Sequence, residues 1–202
     1  MIAWIRHIPF EEATGKLKRI YEKIISPEGL IDNIMKVHSL RPNSLEGHMA
    51  IYKNVLHHSS NTLPKWLLEA TGVYVSYLNG CDYCYEHHYA GMARLLKVEA
   101  KAKAIRAAIE EDRLEQAFSG RELAIMQYAK VLTQSPAQMQ ETHIIALREA
   151  GMDDGEILEV NQIVSYFAYA NRTVLGLGVT TQGDVLGLSP GDSDDPENWH
   201  HH

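Results

Sequence analysis

Apolar residues recur at steps of three and four along almost the whole chain, and the short alternating runs that would mark strands are few. Leu17, Ile20, Tyr21 and Ile24 line one face of a first helix, which Pro27 and Gly29 end. Ile34, Met35 and Leu40 belong to a shorter helical segment. After a break and cap at Pro42, Asn43 and Ser44, the residues Leu45, Met49, Tyr52 and Leu56 form the buried face of the next helix. Thr62, Leu63 and Pro64 read as a helix start, because proline lacks an amide proton that would have no partner in a first turn. That helix runs to Leu78, where Asn79 and Gly80 favour a left-handed stop. A second helix, from about Asp82 to Leu96, must follow at once, so the two form a tight hairpin.

Further along, the Ala- and Lys-rich stretch from Val98 to Glu110 is helical by propensity. Ser119 followed by Glu122 predicts a capping box, with a helix from Arg121 to about Thr133. Pro136 is expected to open another helix that closes at Gly151. Asp153 or Asp154 caps the last long helix, whose apolar stripe is Ile157, Val160, Ile163, Val164 and Phe167. From Leu188 onward Gly, Ser, Asp and Pro predominate, as in a loop or an arm. The expectation is an all-α fold, with one multi-helix domain over residues 1–187 and a loop or arm over 188–202.

Composition agrees with this picture and narrows the function. A chain of 202 residues fits one domain, and 45% hydrophobic with 22% charged residues is a globular balance. The formal net charge of −7, with no dense basic run, argues against nucleic acid as a partner. No apolar stretch approaches about 20 residues, and the first residues lack the pattern of a secretory signal, so no membrane contact and a cytoplasmic location are expected. His200, His201 and His202 belong either to the native end or to an appended tag and are set aside from functional reasoning.

The candidate chemistry lies in the hairpin. The chain has two cysteines, Cys81 and Cys84, a spacing that suits reactive or metal-binding thiols better than a scattered structural disulfide framework. On a helix entered near Cys81, the positions of Cys81, Cys84 and His88 share one stripe at about 100° per residue. Unpaired amides in the first helical turn favour thiolate over thiol, and such a thiolate attacks the oxygen–oxygen bond of a hydroperoxide. His88 can accept or relay the proton. If the hairpin is antiparallel, Glu69 and His88 lie roughly 15 Å and 12 Å from the turn, hence nearly level, and the carboxylate can orient the imidazole. A zinc site built on Cys81, Cys84 and His87 or His88 is the rival reading, although no second Cys cluster completes four ligands. Tyr83 and Tyr85 either line a pocket or fill a core, and His87 is a surface or packing residue. His38, His48, His57 and His58 are read as structural, and Asn171 and Arg172 as caps or braces of the last long helix.

Glu69, eleven residues, Cys81, two residues, Cys84, three residues, His88 resembles the signature of the alkylhydroperoxidase D-like family in the carboxymuconolactone decarboxylase superfamily. The flanks NIMKVHSLRP at 33–42, YLNGCDYCYEHH at 77–88 and ANRTVLGLGV at 170–179 are similar to its peroxidase-related branch. The resemblance implies an all-helical bundle, homo-oligomers and a dithiol cycling through a disulfide without a bound cofactor or metal. Cys84 would attack the peroxide, Cys81 would resolve the product, and His88 with Glu69 would relay protons. The substrate would be a small hydroperoxide and the reductant a thiol or a dihydrolipoyl partner, with a peroxiredoxin-type protein as a partner that some members serve. The chain departs from the best-characterised members at Tyr83, where they carry a histidine. A non-enzymatic redox sensor, scaffold or metal-binding protein of the same fold is the alternative.

Overall fold

The computed structural model describes residues 1–190, 194–195 and 197–201; the rest of the expected 188–202 arm lies outside the described residues. Nine helices follow in chain order: α1 Gly15–Ile24, α2 Asn33–Val37, α3 Pro42–Leu56, α4 Lys65–Leu78, α5 Asp82–Leu96, α6 Glu99–Glu110, α7 Gly120–Gln134, α8 Glu141–Glu149 and α9 Asp154–Leu177. Among the described residues there is no strand beyond one isolated bridge between Pro190 and His201. The fold is all-α. No helix among the described residues is long and apolar enough to cross a membrane.

α4 is the central element, because every residue from Leu67 to Ser76 is buried and a helix without a polar face must be surrounded. It packs most extensively on α5 and then on α9 and α7. Gly72 allows the closest of these approaches: a Cβ there would fall within the ring of Phe167 on α9. The apolar stripe of α9 faces this centre, with Ile157, Val160, Ile163, Val164 and Phe167 all buried. On α3, Leu45, Met49, Tyr52 and Leu56 are buried as their spacing predicts.

The turn between α4 and α5 is set by Gly80, whose φ of 67° reverses the backbone. Cys81 N–H then donates to Ser76 O at 2.9 Å and Gly80 N–H to Tyr77 O at 3.0 Å, the paired bonds of a Schellman ending. Cys81 therefore closes α4 and is the residue from which α5 starts.

Two local expectations fail for identifiable reasons. Ser119 makes no side-chain capping bond, because Gly120 turns through a positive φ and Glu122 N–H is taken by the Ser119 carbonyl at 3.1 Å instead. Pro136 opens only a single tight turn ending at Gln138, and α8 starts at Glu141, where Gln140 N–H donates to His143 Nδ1 at 3.0 Å. Of the two carboxylates proposed to cap α9, Asp153 does so: it accepts from Glu156 N–H at 2.9 Å while Glu156 accepts from Asp153 N–H at 3.0 Å.

Candidate active site

The short turn at Gly80 brings the two faces of the hairpin together, and the expected levelling of Glu69 with His88 is realised as a contact. His88 Nδ1 lies 2.7 Å from Glu69 Oε2. With an ionised carboxylate as acceptor, Nδ1 carries the proton and Nε2 is left as the free acceptor. Glu69 is 3% exposed, and Gly91 on α5 faces it, where a Cβ would meet the carboxylate at an ordinary contact distance of 3.6 Å. Phe167 meets the His88 ring edge-on at 4.5 Å between centroids and fixes its plane.

Cys81 and Cys84 are both free and buried, with their sulfurs 2.9 Å apart and hydrogen-bonded. Cys84 lines a small cavity with Glu69, His88, His48, Tyr52 and Tyr166, whereas Cys81 stands behind it and does not. The pair shares a proton unequally. Cys81 is pushed down from the usual thiol range by the hydrogen bond to Cys84, against its burial. Cys84 is pushed well up, first by burial and then by its bond to Cys81, with a smaller opposing contribution from Asn171. The acidic sulfur at rest is thus Cys81, which corrects the expectation that the helix start would lower Cys84. The Cys84 amide in the first turn favours the charged form of both sulfurs, but Cys84 lies deeper and loses more hydration than that amide restores.

Residues that the sequence left structural complete the surroundings. His57 Nε2 lies 3.7 Å from Glu69 Oε1, on the side of the carboxylate away from His88. His48 is buried, with Nδ1 unpartnered, and burial pushes it down to about 3. His38 and His57 are also lowered, chiefly by burial, so all three rings are neutral. Asn171 is not a cap: it sits inside α9, fully buried, accepting from Asn79 Nδ2 at 2.9 Å and donating to Ser76 Oγ at 3.1 Å, which braces the turn that carries Cys81. Arg172 is exposed and bonds its own helix at Ala168 O. Tyr83 lines the cavity, and its hydroxyl donates to Asp184 at 2.7 Å; Tyr85 points away toward Glu110 and Arg106. His87 is buried against Tyr83 and stands 3.3 Å from Asp184. Asp184 was not legible as a site residue, having neither motif nor periodicity around it. Among the described residues, no three His, Cys, Asp or Glu side chains converge as metal ligands would, including those of the zinc rival.

No protein-family model matches the sequence, and no curated protein matches it either. Solved structures do. An alkylhydroperoxidase D core, an uncharacterized peroxidase-related protein from Ralstonia eutropha JMP134, superposes with a TM-score of 0.78 at 19% identity, covering 89% of this chain and 92% of that one. An uncharacterized peroxidase-related protein from Silicibacter sp. TM1040 gives 0.75 at 20% identity, covering 89% and 91%. The debrominase Bmp8 gives 0.69 at 17% identity, covering 89% and 91%. The nine-helix bundle of the described residues has the fold of the alkylhydroperoxidase D-like proteins.

Proposed function

We propose that the chain is a dithiol hydroperoxide reductase in which Cys84 attacks, Cys81 resolves and His88 with Glu69 moves protons. The observation that carries this reading is the cavity wall itself: Cys84 shares it with the hydrogen-bonded Glu69–His88 pair, and a second sulfur waits 2.9 Å behind. The Cys84 proton passes to His88 Nε2, the free acceptor, while Cys81 keeps its own, and the Cys84 thiolate attacks the terminal oxygen of ROOH. The O–O bond breaks, the leaving RO⁻ takes the proton from His88 as ROH, and Cys84 becomes a sulfenic acid. Cys81 then attacks that sulfur, and the departing hydroxide leaves as water with the Cys81 proton, giving the disulfide. An external dithiol of the dihydrolipoyl class returns two electrons and two protons by exchange, and a peroxiredoxin-type partner protein would be one the reduced dithiol serves. The cycle draws on side chains alone. The expected homo-oligomer is part of this proposal, and light scattering on the purified chain tests it.

The decisive experiment titrates the fully reduced protein with hydrogen peroxide and counts free thiols. Both thiols are expected to disappear per peroxide consumed, Cys84→Ser to consume none, and Cys81→Ser to leave a sulfenic acid that dimedone captures at Cys84. Folded protein whose two thiols survive excess peroxide overturns the reading.

A further inference from the structure

The cavity in front of Cys84 has a volume of about 30 Å³, room for roughly two water-sized oxygens. Its inner walls are helical, and Gly187, Leu188 and Ser189, from the chain that leaves α9, line its outer side and narrow its mouth. Several attachments hold this strap, residues 180–190, in place. Asp184, whose side chain has no exposed surface, accepts from the Tyr83 hydroxyl at 2.7 Å and from Asn33 N–H at 3.0 Å, and stands beside His87. The Asn33 side-chain amide donates to Thr180 O at 2.8 Å and Gln182 O at 3.0 Å. Arg94 Nη2 donates to Ser189 Oγ at 2.8 Å. Between these anchors Gly187, with φ at 82°, lies directly on α5: a Cβ there would stand 3.0 Å from the backbone of Ala90 and Gly91. Only glycine meets both the conformation and the approach.

We propose that this strap determines the substrate class of the site, admitting hydrogen peroxide and excluding hydroperoxides that carry alkyl or aryl groups, with Asp184 and Gly187 setting the limit. An alkyl hydroperoxide adds carbon atoms to the two oxygens the cavity accommodates, and these press against the strap that lines its outer side. The anchor that must yield is Asp184, and it holds Tyr83, the neighbour of the attacking sulfur, so access and the position of Cys84 are linked through a single peptide. The chemical consequence rests on the peroxidase reading above; the geometric limit does not.

The test therefore uses thiol modification as well as turnover. Reduced full-length chain is treated with iodoacetamide, N-ethylmaleimide and a bimane-type reagent of increasing bulk. Modification is read at Cys84 by peptide mass, and each rate is divided by that of the same chain in guanidinium. Protection is expected to climb at least about tenfold from the smallest reagent to the largest. Asp184→Ala and, independently, Gly187→Val should flatten that series. In peroxide turnover Asp184→Ala should lower the preference for hydrogen peroxide over cumene hydroperoxide by at least about tenfold. A native chain that all three reagents modify with equal protection overturns the proposal, whatever becomes of the variants. So do folded variants, judged by circular dichroism, that keep the native size dependence. A chain with graded protection but no peroxide turnover would sink the proposed activity and leave the size limit standing.

Discussion

The α4–α5 hairpin and the strap over residues 180–190 both border the same sulfur, and they are built on opposite principles. In the hairpin, side chains ten or twenty positions apart meet because a Schellman turn and two regular helices leave them no other place, and the packing of α4 on α5, α7 and α9 holds them there. The strap has no regular structure and is held by a handful of polar bonds to residues far off in the sequence, above all from Asp184 to Tyr83, 101 positions away, and to Asn33, 151 positions away. The first arrangement suits groups that must stay within a fraction of an ångström of one another. The second suits a part whose displacement leaves the rest of the core intact. On the proposed reading, reactivity and access reside in elements held by different kinds of contact.

The largest effect that would sharpen this contrast is on the proton relay proposed for the hairpin. Glu69→Gln keeps the shape but removes the charge that fixes the His88 tautomer, and peroxide turnover is expected to fall by about 10²- to 10⁴-fold. Unfolding midpoint and Cys84 protection against bulky reagents should barely change. Turnover within about threefold of the parent would mean that the pair is structural and the hairpin no more chemical than the strap.

Acid should act next, and through the core. His38, His48 and His57 have folded values below the ordinary 6.5, His48 near 3. The unfolded chain therefore binds protons first as pH falls, and stability present above pH 6.5 is lost on acidification. The slope approaches roughly 1.4 kcal/mol per pH unit for each ring that stays neutral. Urea melts at steps between pH 7 and 4 check this; a flat profile would show that these rings take up protons in the fold.

A smaller effect is expected at Gly72. An alanine there must push Phe167 away from α4, at a cost of about 1–3 kcal/mol, read as a lower thermal midpoint. Because Phe167 also packs on His88, turnover should drop with it, whereas the size limit imposed by the strap should persist. A midpoint unchanged by Gly72→Ala would show that the close approach of α9 is not a constraint on the hairpin.

The same division explains what could be read in the residues beforehand. Leu45, Met49, Tyr52 and Leu56, or the span Asp82–Leu96, follow from a period of 3.6 and from stop signals such as Gly80, all local properties. The meeting of Glu69 with His88 followed from counting residues out from one turn. Asp184, His48 and His57 obey no such rule: what makes them part of the site is how α3 and the strap dock, which is decided by packing between distant segments. The acidity of the thiols was misjudged for a related reason, since the helix start is a local feature but burial is a global one. The pattern at Ser119 and Glu122 matched a capping box, yet one positive φ at Gly120 gave the carbonyl the bond instead.

The root of the strap carries its own reporter. Where the chain leaves α9 it is stitched to the amino-terminal segment, Trp4 N–H to Leu177 O at 2.8 Å and Thr180 N–H to Ile2 O at 2.9 Å. The Trp4 indole lies over Gly178, where a Cβ would collide with it, yet it is 75% exposed. Its emission colour and its quenching by dissolved iodide should register any shift at that junction, so with Trp66 and Trp199 replaced by phenylalanine the protein becomes an optical gauge of its own doorway.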